Sequence, residues 1–381
     1  MIIPFNKIHI TGKEIAYITQ TMNGGKLGGN GEFTHRCQSF FEEKYGFKKC
    51  LLTTSCTDAL EMAAILCDIK PGDEVIVPSY TFVSTALAFA RQGAKIVFAD
   101  SMRRNPNLDV ELMESLITPK TKVIVPMHYA GVACDMDRIM EIADKHNLLV
   151  VEDAAQAIDS YYKNRPLGAI GHLSAFSFHE TKSITSGEGG LLCINDQRFI
   201  HRAEIIWEKG TNRAEFFRGV VNKYGWCDTG SSFLPNEITA AFLWAQLEAL
   251  DDIQNKRKQL WNKYYNLLKP LVDMGCFKLP DIPDYATNNG HLFYLVCNNM
   301  RERTELIKYL KENGITAVFH YLSLHGSDYY KDQHDGRALI ESDRYTDCLL
   351  RLPLFYDLGM EEVETICSIM TNLWLKKKHY V

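Results

Sequence analysis

The sequence predicts an α/β fold, in which a mixed, mostly parallel sheet is flanked by helices and followed by a smaller C-terminal α+β domain. From about residue 50 to 195, short β-branched runs alternate with helix-like stretches, a pattern typical of βα units. These runs are apolar at successive positions, which favours strands that are covered on both faces. After about residue 235 the alternation gives way to long helical patterns.

The strands and helices of the first part can be placed individually. Six apolar runs predict strands, and four stretches between them have the helical spacing of apolar residues. The predicted strands are Glu74–Val77, Lys95–Ala99, Lys122–Val125, Leu148–Glu152, Ala175–Phe178 and Leu191–Ile194. The predicted helices are Thr57–Cys67, Thr81–Gln92, Val110–Ile117 and Asp137–His146.

The second part begins with Glu237–Tyr265, whose apolar spacing predicts one or two long helices. A small α+β unit follows. We therefore expect a large domain over residues 1–250 and a small domain over residues 251–381. The predicted elements of the small unit are Leu292–Val296, Arg303–Glu312, Ala317–Tyr321 and Glu361–Leu375.

Composition restricts the class of function. The 381 residues are 46% hydrophobic and 23% charged, with a net charge of −5, so they offer no basic surface for nucleic acid or an anionic membrane. No apolar run approaches the ~20 residues of a membrane-spanning helix, and the N-terminus lacks a signal-peptide pattern. The eleven cysteines form no CxxC pair. We therefore expect reduced thiols in a cytoplasmic protein without a metal site.

A carboxylate follows one of the predicted strands. Asp153 comes directly after Leu148–Glu152, where the carboxyl edge of a parallel sheet presents side chains to a ligand. It either caps a following helix or keeps a positively charged ring nitrogen protonated. The residue alone does not decide between the two.

A lysine follows the next predicted strand. Lys182 comes shortly after Ala175–Phe178, and Ser177 and His179 bring polar groups to the end of that strand. Such a lysine is usually solvated, but a desolvated amine beside polar groups can act as a nucleophile. The glycines of Gly187–Gly190 would let the backbone pass close to a bulky ligand.

Small polar residues open the helix predicted at Thr57–Cys67. Ser55, Cys56 and Thr57 belong to a Ser/Thr-rich cluster, which is normally an N-cap but can also bind an anion through free N–H groups and hydroxyls. No Walker motif is present, and no strand precedes Gly28–Gly31, so that run is not a dinucleotide fingerprint. An anion seat, a carboxylate for a pyridinium nitrogen and a reactive lysine are together what pyridoxal phosphate requires.

With these motifs the sequence resembles the sugar aminotransferases of the DegT/DnrJ/EryC1/StrS family. The likeness extends over essentially the whole chain, with its anchors in Gly72–Phe82, Glu152–Gln156 and Phe176–Lys182. It implies the fold type I architecture of aspartate aminotransferase and pyridoxal 5′-phosphate as the cofactor. It also implies a homodimer with shared active sites.

The resemblance further implies roles for single residues. Lys182 would carry the cofactor and move a proton between it and the sugar carbon, while Asp153 would hold the pyridine nitrogen protonated. Gln156 would contact the ring hydroxyl, and Phe82 would stack on the ring. The other residues implied to bind the cofactor are Ser55, Cys56, Thr57, Ser177 and His179.

Further expected contacts lie in the later part of the chain. Many family members place an asparagine of the partner subunit at the phosphate, and Ser232 takes that place here. His320 matches a family histidine near the sugar, with Tyr321 beside it. Lys209 is a candidate for the phosphates of a nucleotide, although a solvated surface cluster explains it equally well.

Three more segments indicate a substrate class. Pro126–Cys134, Glu208–Arg213 and Arg351–Tyr356 are most similar to family members that aminate a dTDP-linked 4-keto-6-deoxy sugar with L-glutamate. A 3-keto sugar or the gluco epimer remains an alternative, since the cofactor residues are shared. A 3-dehydratase of the same fold would carry histidine in place of Lys182. From another class, a cofactor-binding regulator without turnover is the alternative.

Overall fold

In the computed structural model, which describes residues 2–378, the apolar runs of the first half form one seven-stranded sheet. A small hairpin, with two residues in each strand, accompanies it. The strands of the sheet are β1 (Lys49–Thr53), β2 (Glu74–Pro78), β3 (Lys95–Ala99), β4 (Thr121–Ile124), β5 (Leu149–Asp153), β8 (Leu173–Ser177) and β9 (Gly190–Ile194), and the hairpin consists of β6 (Tyr161–Tyr162) and β7 (Arg165–Pro166).

The sheet has the order β1-β9-β8-β5-β4-β2-β3. Strand β9 runs antiparallel to both of its neighbours, and the remaining neighbours pair in parallel. The predicted α/β class with a mixed, mostly parallel sheet is therefore confirmed. The six predicted strands are all present, whereas the edge strand β1 was not predicted.

Thirteen α-helices surround this sheet and the smaller unit within the described residues. Helices α1, α2, α7, α8 and α12 were not predicted, and Glu237–Tyr265 divides into α9 and α10. The helices are α1 (Glu14–Asn23), α2 (Glu32–Tyr45), α3 (Cys56–Leu66), α4 (Val83–Ala90), α5 (Val110–Met113), α6 (Met136–His146), α7 (Ile200–Trp207), α8 (Arg213–Phe217), α9 (Glu237–Glu248), α10 (Leu250–Asp273), α11 (Met300–Glu312), α12 (Ile340–Cys348) and α13 (Met360–Lys378).

Successive strand residues enter two different cores, which explains the unbroken apolar runs. Ile124 and Val150 pack with α2, α6 and α9 on one face of the sheet. Val123 and Val151 pack with α3, α4 and α7 on the other face. Because both faces are covered, the strands need no polar positions. The carboxyl ends of the parallel strands are left as the accessible edge.

A second, three-stranded antiparallel sheet lies in the C-terminal part. It consists of β10 (Phe277–Lys278), β11 (Phe293–Cys297) and β12 (Leu349–Leu352), and its core includes the later residues of α10 together with α11 and α13. The prediction of a regular element at Ala317–Tyr321 was wrong. That stretch is a loop with one bridge between Val318 and Arg351. We propose a domain boundary at residue 250, where α10 begins.

One buried carboxylate ties the N-terminal segment to the large core. Glu237, at the start of α9, accepts hydrogen bonds from the backbone N–H groups of Gly31 (2.9 Å) and Phe33 (2.8 Å). It also accepts from the N–H (3.3 Å) and the hydroxyl of Thr34. The first N–H groups of a helix have no partner within it, so Glu237 satisfies the start of α2 and meets its positive end.

We expect Glu237→Gln to lower the free energy of unfolding by about 2–4 kcal/mol, because an amide NH2 then faces N–H donors in a buried site. Glu248→Gln is the control at the other end of α9. Its partly exposed carboxylate binds Lys13 and Tyr17, so the loss should stay under about 1 kcal/mol. Urea unfolding at one protein concentration measures both. Equal losses would contradict the assigned role of Glu237.

Candidate functional site

A cavity of about 890 Å³ opens at the carboxyl edge of the large sheet. It is bounded by the strand ends, by Phe5 and Asn6 near the N-terminus, and by the loop after Ala317 together with β12. Open α/β sheets bind ligands at this edge. The predicted site residues that line the cavity are Ser55, Cys56, Thr57, Phe82, Asp153, Gln156, Ser177, His179, Lys182, His320 and Tyr321.

Lys182 lies in the loop between β8 and β9, with its amine withdrawn from solvent. Burial lowers the pKa of this amine, and the charge of Arg351 lowers it too, while Cys56 and Asp153 act in the opposite direction. A lowered pKa raises the neutral fraction of the amine, which is its nucleophilic form. No described carboxylate forms an ion pair with Lys182. The amine is thus available for covalent chemistry.

Asp153 is the last residue of β5 and is 4% exposed. Its Oδ2 accepts a hydrogen bond from the hydroxyl of Thr85 at 2.6 Å, and its Oδ1 accepts one from the N–H of Ala155 at 3.1 Å. A turn follows it rather than a helix, which rules out the helix-cap reading. Among residues 2–378 no basic side chain pairs with it. A buried carboxylate without a cation fits a protonated ring nitrogen.

The start of α3 combines both functions that its sequence allowed. The Oγ of Ser55 caps the helix by accepting from the N–H of Asp58 at 3.0 Å, so its side chain serves the backbone. The N–H groups of Cys56 and Thr57 have no partner within the helix. They line the cavity at the positive end of the helix dipole, an arrangement that can bind a phosphate. Ser177 lines the same side of the cavity.

Gly190 lets β9 pass close to this helix start. A Cβ at position 190 would overlap the carbonyl group of Ser55 and the amide nitrogen of Cys56. The backbone of β9 therefore lies directly against the residues that form the anion seat. No larger side chain fits there without displacing them.

Gln156 is held at both ends of its amide. Its Oε1 accepts a hydrogen bond from the N–H of Ala130 at 2.6 Å, and its Nε2 donates to the hydroxyl of Tyr321 at 2.8 Å. The ring of His320 stacks on Tyr321 with centroids 3.6 Å apart, and its Nδ1 lies 2.7 Å from the hydroxyl of Tyr129. Burial holds the pKa of His320 well below its usual range, and Arg351 and Lys182 add to this. The imidazole is therefore neutral.

One aromatic side chain, Phe82, and one imidazole, that of His179, lie nearer to the solvent. Phe82 is 56% exposed where it precedes α4, and an exposed ring at a cavity wall suits stacking on a flat ligand. His179 contacts the hydroxyl of Thr181 through Nδ1, and its Nε2 lies 3.7 Å from Glu188. Both residues line the cavity.

Lys209 and Ser232 are not brought into the cavity of this chain. They lie side by side, because Glu208 and Ser232 form an isolated bridge and the N–H of Lys209 donates to the carbonyl of Ser231 at 2.9 Å. Lys209 has a left-handed backbone with φ of 66°. Within one chain, neither residue reaches the groups around Lys182.

Sequence reasoning missed two residues of the site. Thr85 orients Asp153 from α4, and Arg351 enters the cavity from β12. The signal for Arg351 was its charge inside the otherwise apolar strand Leu349–Leu352, since arginine is rarely buried unless it has a partner. The threonine left no comparable signal in the sequence.

The donor set fits pyridoxal phosphate. The cavity offers a withdrawn amine, a buried carboxylate without a cation, a helix start with free N–H groups and an exposed aromatic ring. These match the aldehyde, ring nitrogen, phosphate and ring face of that cofactor.

Comparisons with known proteins agree with this fit. The model of the DegT/DnrJ/EryC1/StrS aminotransferase family matches residues 9–371. The spore coat polysaccharide biosynthesis protein SpsC of Bacillus subtilis is 31% identical over 383 residues, covering 97% of each chain.

Solved structures give the same result. The sugar aminotransferase Spr1654 of Streptococcus pneumoniae, in its PMP form, superposes with a TM-score of 0.90 at 25% identity, covering 98% of this chain and 99% of that one. DesV of S. venezuelae superposes with a TM-score of 0.90 at 28% identity, covering 98% of each chain. The expected fold type I architecture is confirmed by these neighbours.

We expect Gly190→Ala to weaken the binding of pyridoxal phosphate about tenfold or more, since the displaced start of α3 costs about 1–3 kcal/mol. Gly28→Ala is the control, because a Cβ there meets no atom within 4 Å. Titration of cofactor-free protein, followed by absorbance, measures both affinities. An unchanged affinity in Gly190→Ala would remove the start of α3 from the cofactor site.

Proposed function

Since the chain belongs to the DegT/DnrJ/EryC1/StrS aminotransferase family, we propose that it transfers the amino group of L-glutamate to a dTDP-linked 4-keto-6-deoxyglucose. At the coarser level, the chain is a pyridoxal-phosphate-dependent sugar aminotransferase. The proposed products are dTDP-4-amino-4,6-dideoxygalactose and 2-oxoglutarate. The 4-keto position and the galacto configuration rest on the likeness of Pro126–Cys134 and Arg351–Tyr356 to members of that specificity.

One observation carries the proposal. Lys182 and Asp153 line the same cavity, and each lacks a side-chain ion pair among the described residues. Bound pyridoxal phosphate supplies an aldehyde that takes up an amino group and a ring that withdraws electrons. Asp153, oriented by Thr85, supports this withdrawal because its negative charge keeps the ring nitrogen protonated.

The lysine moves the proton. When its amine is free and neutral, Lys182 would remove a proton from the α-carbon of the amino donor and pass it to the bound cofactor. In the second half of the reaction it would take a proton back from the cofactor and, as the ammonium, deliver it to the sugar carbon. Its lowered pKa supports the base role near neutral pH. The two half-reactions share one base and run in opposite directions, which is ping-pong catalysis.

His320 and Tyr321 form the proposed sugar side of the cavity. The imidazole is neutral and is held by Tyr129, while Gln156 fixes the hydroxyl of Tyr321. Positioned neutral groups bind the hydroxyl and keto oxygens of a sugar without adding charge. We assign Lys209 to the phosphates of the nucleotide. In this assignment Lys209 of one chain reaches the nucleotide that is bound in the cavity of the other chain.

We also propose a homodimer in which Ser232 completes the phosphate seat of the partner. The surface near Ser232 supports this, because Trp226 is 87% exposed and Phe217 is 67% exposed. Exposed aromatic side chains in one segment mark an interaction surface. Two copies that met there would cover these rings.

The proposed location is the cytoplasm. No disulfide joins any of the cysteines in the described residues, which suits a reducing compartment. The part of the chain that the structure describes contains no helix long and apolar enough to cross a membrane.

We propose that the amino sugar enters a surface glycan such as lipopolysaccharide O-antigen or enterobacterial common antigen. The spore coat polysaccharide in the name of SpsC supports a polysaccharide destination.

Lys182→Ala should reduce turnover by more than about 10³-fold, because the cofactor anchor and the base are lost together. The visible absorbance of the lysine-bound cofactor should also disappear. Asp153→Asn should keep that band and lower turnover by about 10²-fold, since only the charge at the ring nitrogen is lost. Lys120→Ala, an exposed lysine outside the cavity, is the control. A Lys182→Ala protein that still turned over would refute the assignment.

Product analysis tests the substrate. Incubation with dTDP-4-keto-6-deoxyglucose and glutamate should give one amino sugar, whose NMR spectrum shows a small coupling between H3 and H4, as an axial amino group requires. A large coupling would identify the gluco product. Amination at C3 of a 3-keto sugar, with no reaction of the 4-keto sugar, would overturn the proposed substrate.

A further inference from the structure

A buried carboxylate beside Asp153 has no role in the proposed function. Glu152 precedes Asp153 in β5, and its side chain is fully buried together with the imidazole of His128, whose Nε2 lies 2.9 Å from Oε2 of Glu152. The backbone N–H groups of Gly168 and Ile170 also donate to this carboxylate, each at 2.8 Å. Several donors stabilise the ionised form of a buried carboxyl group. Glu152 is therefore a fixed acceptor for His128.

The hydrogen bonds of His128 determine which ring nitrogen carries the hydrogen. Its Nδ1 accepts a hydrogen bond from the backbone N–H of Cys134 at 3.2 Å, so the hydrogen is on Nε2 and is donated to Glu152. The imidazole thus closes the backbone between His128 and Cys134 into a loop. The carboxylate of Glu152 ties that loop to β5.

This loop contains a left-handed turn, which comprises residues 129–131. Ala130 has a φ of 57°, and Gly131 follows with a φ of 76°. Such a backbone costs free energy at a residue that has a Cβ, so it persists only where the surroundings enforce it. Asn107 holds the two ends of the turn, because its Oδ1 accepts from the N–H of Tyr129 at 2.8 Å and its Nδ2 donates to the carbonyl of Val132 at 3.0 Å.

The left-handed turn makes two contacts with residues of the cavity. The N–H of Ala130 donates to Oε1 of Gln156 at 2.6 Å, and the hydroxyl of Tyr129 lies 2.7 Å from Nδ1 of His320. Because an N–H can only donate, Ala130 decides which end of the Gln156 amide is the oxygen. The nitrogen end then meets Tyr321, which accepts one of its two hydrogens. Among the described residues the second hydrogen has no acceptor.

We propose that Glu152 and His128 keep the left-handed turn in the conformation that orients Gln156 toward the ring hydroxyl of bound pyridoxal phosphate. This inference rests on the proposed function and explains the orientation of one of its cofactor-binding side chains. Neither Glu152 nor His128 lines the cavity, so both act through the backbone of the turn. A donor at the ring oxygen stabilises the ionised form of that oxygen. Loss of the buried pair should therefore make the lysine-bound cofactor lose its proton at a higher pH.

His128→Asn tests the buried pair. The oxygen of the shorter amide can still accept from the N–H of Cys134, but the side chain ends before Glu152. The turn should then relax, and the pH midpoint of the change in the visible band of the lysine-bound cofactor should rise by about half a pH unit or more. His146→Asn is the matched control, because His146 is an exposed histidine whose Nε2 lies 3.0 Å from Glu114. Its midpoint should equal that of the wild type.

A double variant separates positioning from a general loss of packing. Glycine adopts a left-handed backbone without the penalty of a Cβ. Adding Ala130→Gly to His128→Asn should therefore restore at least about half of the shift in the midpoint, measured against Ala130→Gly alone. An unchanged midpoint in folded His128→Asn would overturn the inference, and so would a shift that Ala130→Gly fails to restore.

Ala130→Val guards against a folding defect of His128→Asn, because it leaves the buried pair in place. A β-branched side chain is strongly disfavoured at positive φ, so the turn should relax and the midpoint should rise. If His128→Asn does not fold, Ala130→Val decides the question, and an unchanged midpoint in it refutes the role of the turn.

Hydrogen exchange provides a readout that needs no cofactor. In cofactor-free protein the N–H of Ala130 is protected by its bond to Gln156. Exchange in the peptide that contains Ala130, followed by mass spectrometry, should be about tenfold faster or more in His128→Asn, or in Ala130→Val if only that variant folds. Equal exchange in the wild type and the folded variant would contradict the proposed link between the buried pair and the turn.

The two proposals fail in distinguishable ways, because the midpoint is measured without amino donor or sugar. If the wild-type protein forms no lysine-bound cofactor band, the proposed function is wrong and the role of the buried pair falls with it. If the band forms but no keto sugar is aminated, the proposed substrate is wrong, and the midpoints still decide the role of the pair. If the wild type aminates the sugar and His128→Asn keeps the wild-type midpoint, only the role of the pair is wrong.

Discussion

The site depends on one geometric constraint, which is that parallel strands end at the same edge of a sheet. Asp153 and Ser177 are the last residues of β5 and β8, and the start of α3 follows β1 at the same edge. Strand β9 runs the other way and begins there, at Gly190. Residues far apart in the chain thus meet around one cavity without any long loop.

Burial then sets the chemistry of the groups that the sheet collects. It lowers the pKa of Lys182 and of His320, so both favour their neutral forms. The fold also leaves the buried Asp153 and the partly buried Arg351 as charges of opposite sign without ion-pair partners in the described chain. A cavity that leaves both charges unpaired is complementary to a ligand that carries one positive and one negative group.

Sequence patterns predicted the parallel part of the sheet well, because each strand is buried on both faces and its apolar run is unbroken. Among the elements that they missed are β1, α1 and α2, whose burial depends on packing against distant segments such as β9 and α9. Asp153 and Lys182 could be found because each follows such a run. Arg351 could not be placed, since it lies in the other sheet and reaches the cavity only through the tertiary fold. The positions of Lys209 and Ser232 relative to a site depend on a second chain.

The hydrogen bonds around Gln156 have a direction. The N–H of Ala130 donates to Oε1, and Nε2 donates onward to the oxygen of Tyr321. The tyrosine oxygen already accepts, so its own hydrogen is free to point into the cavity. The cavity wall therefore presents a hydrogen-bond donor at Tyr321. This hydroxyl pairs more readily with an acceptor such as a carbonyl oxygen than with another donor. A backbone amide thus sets, through the side chain of Gln156, the direction in which the hydroxyl of Tyr321 can donate.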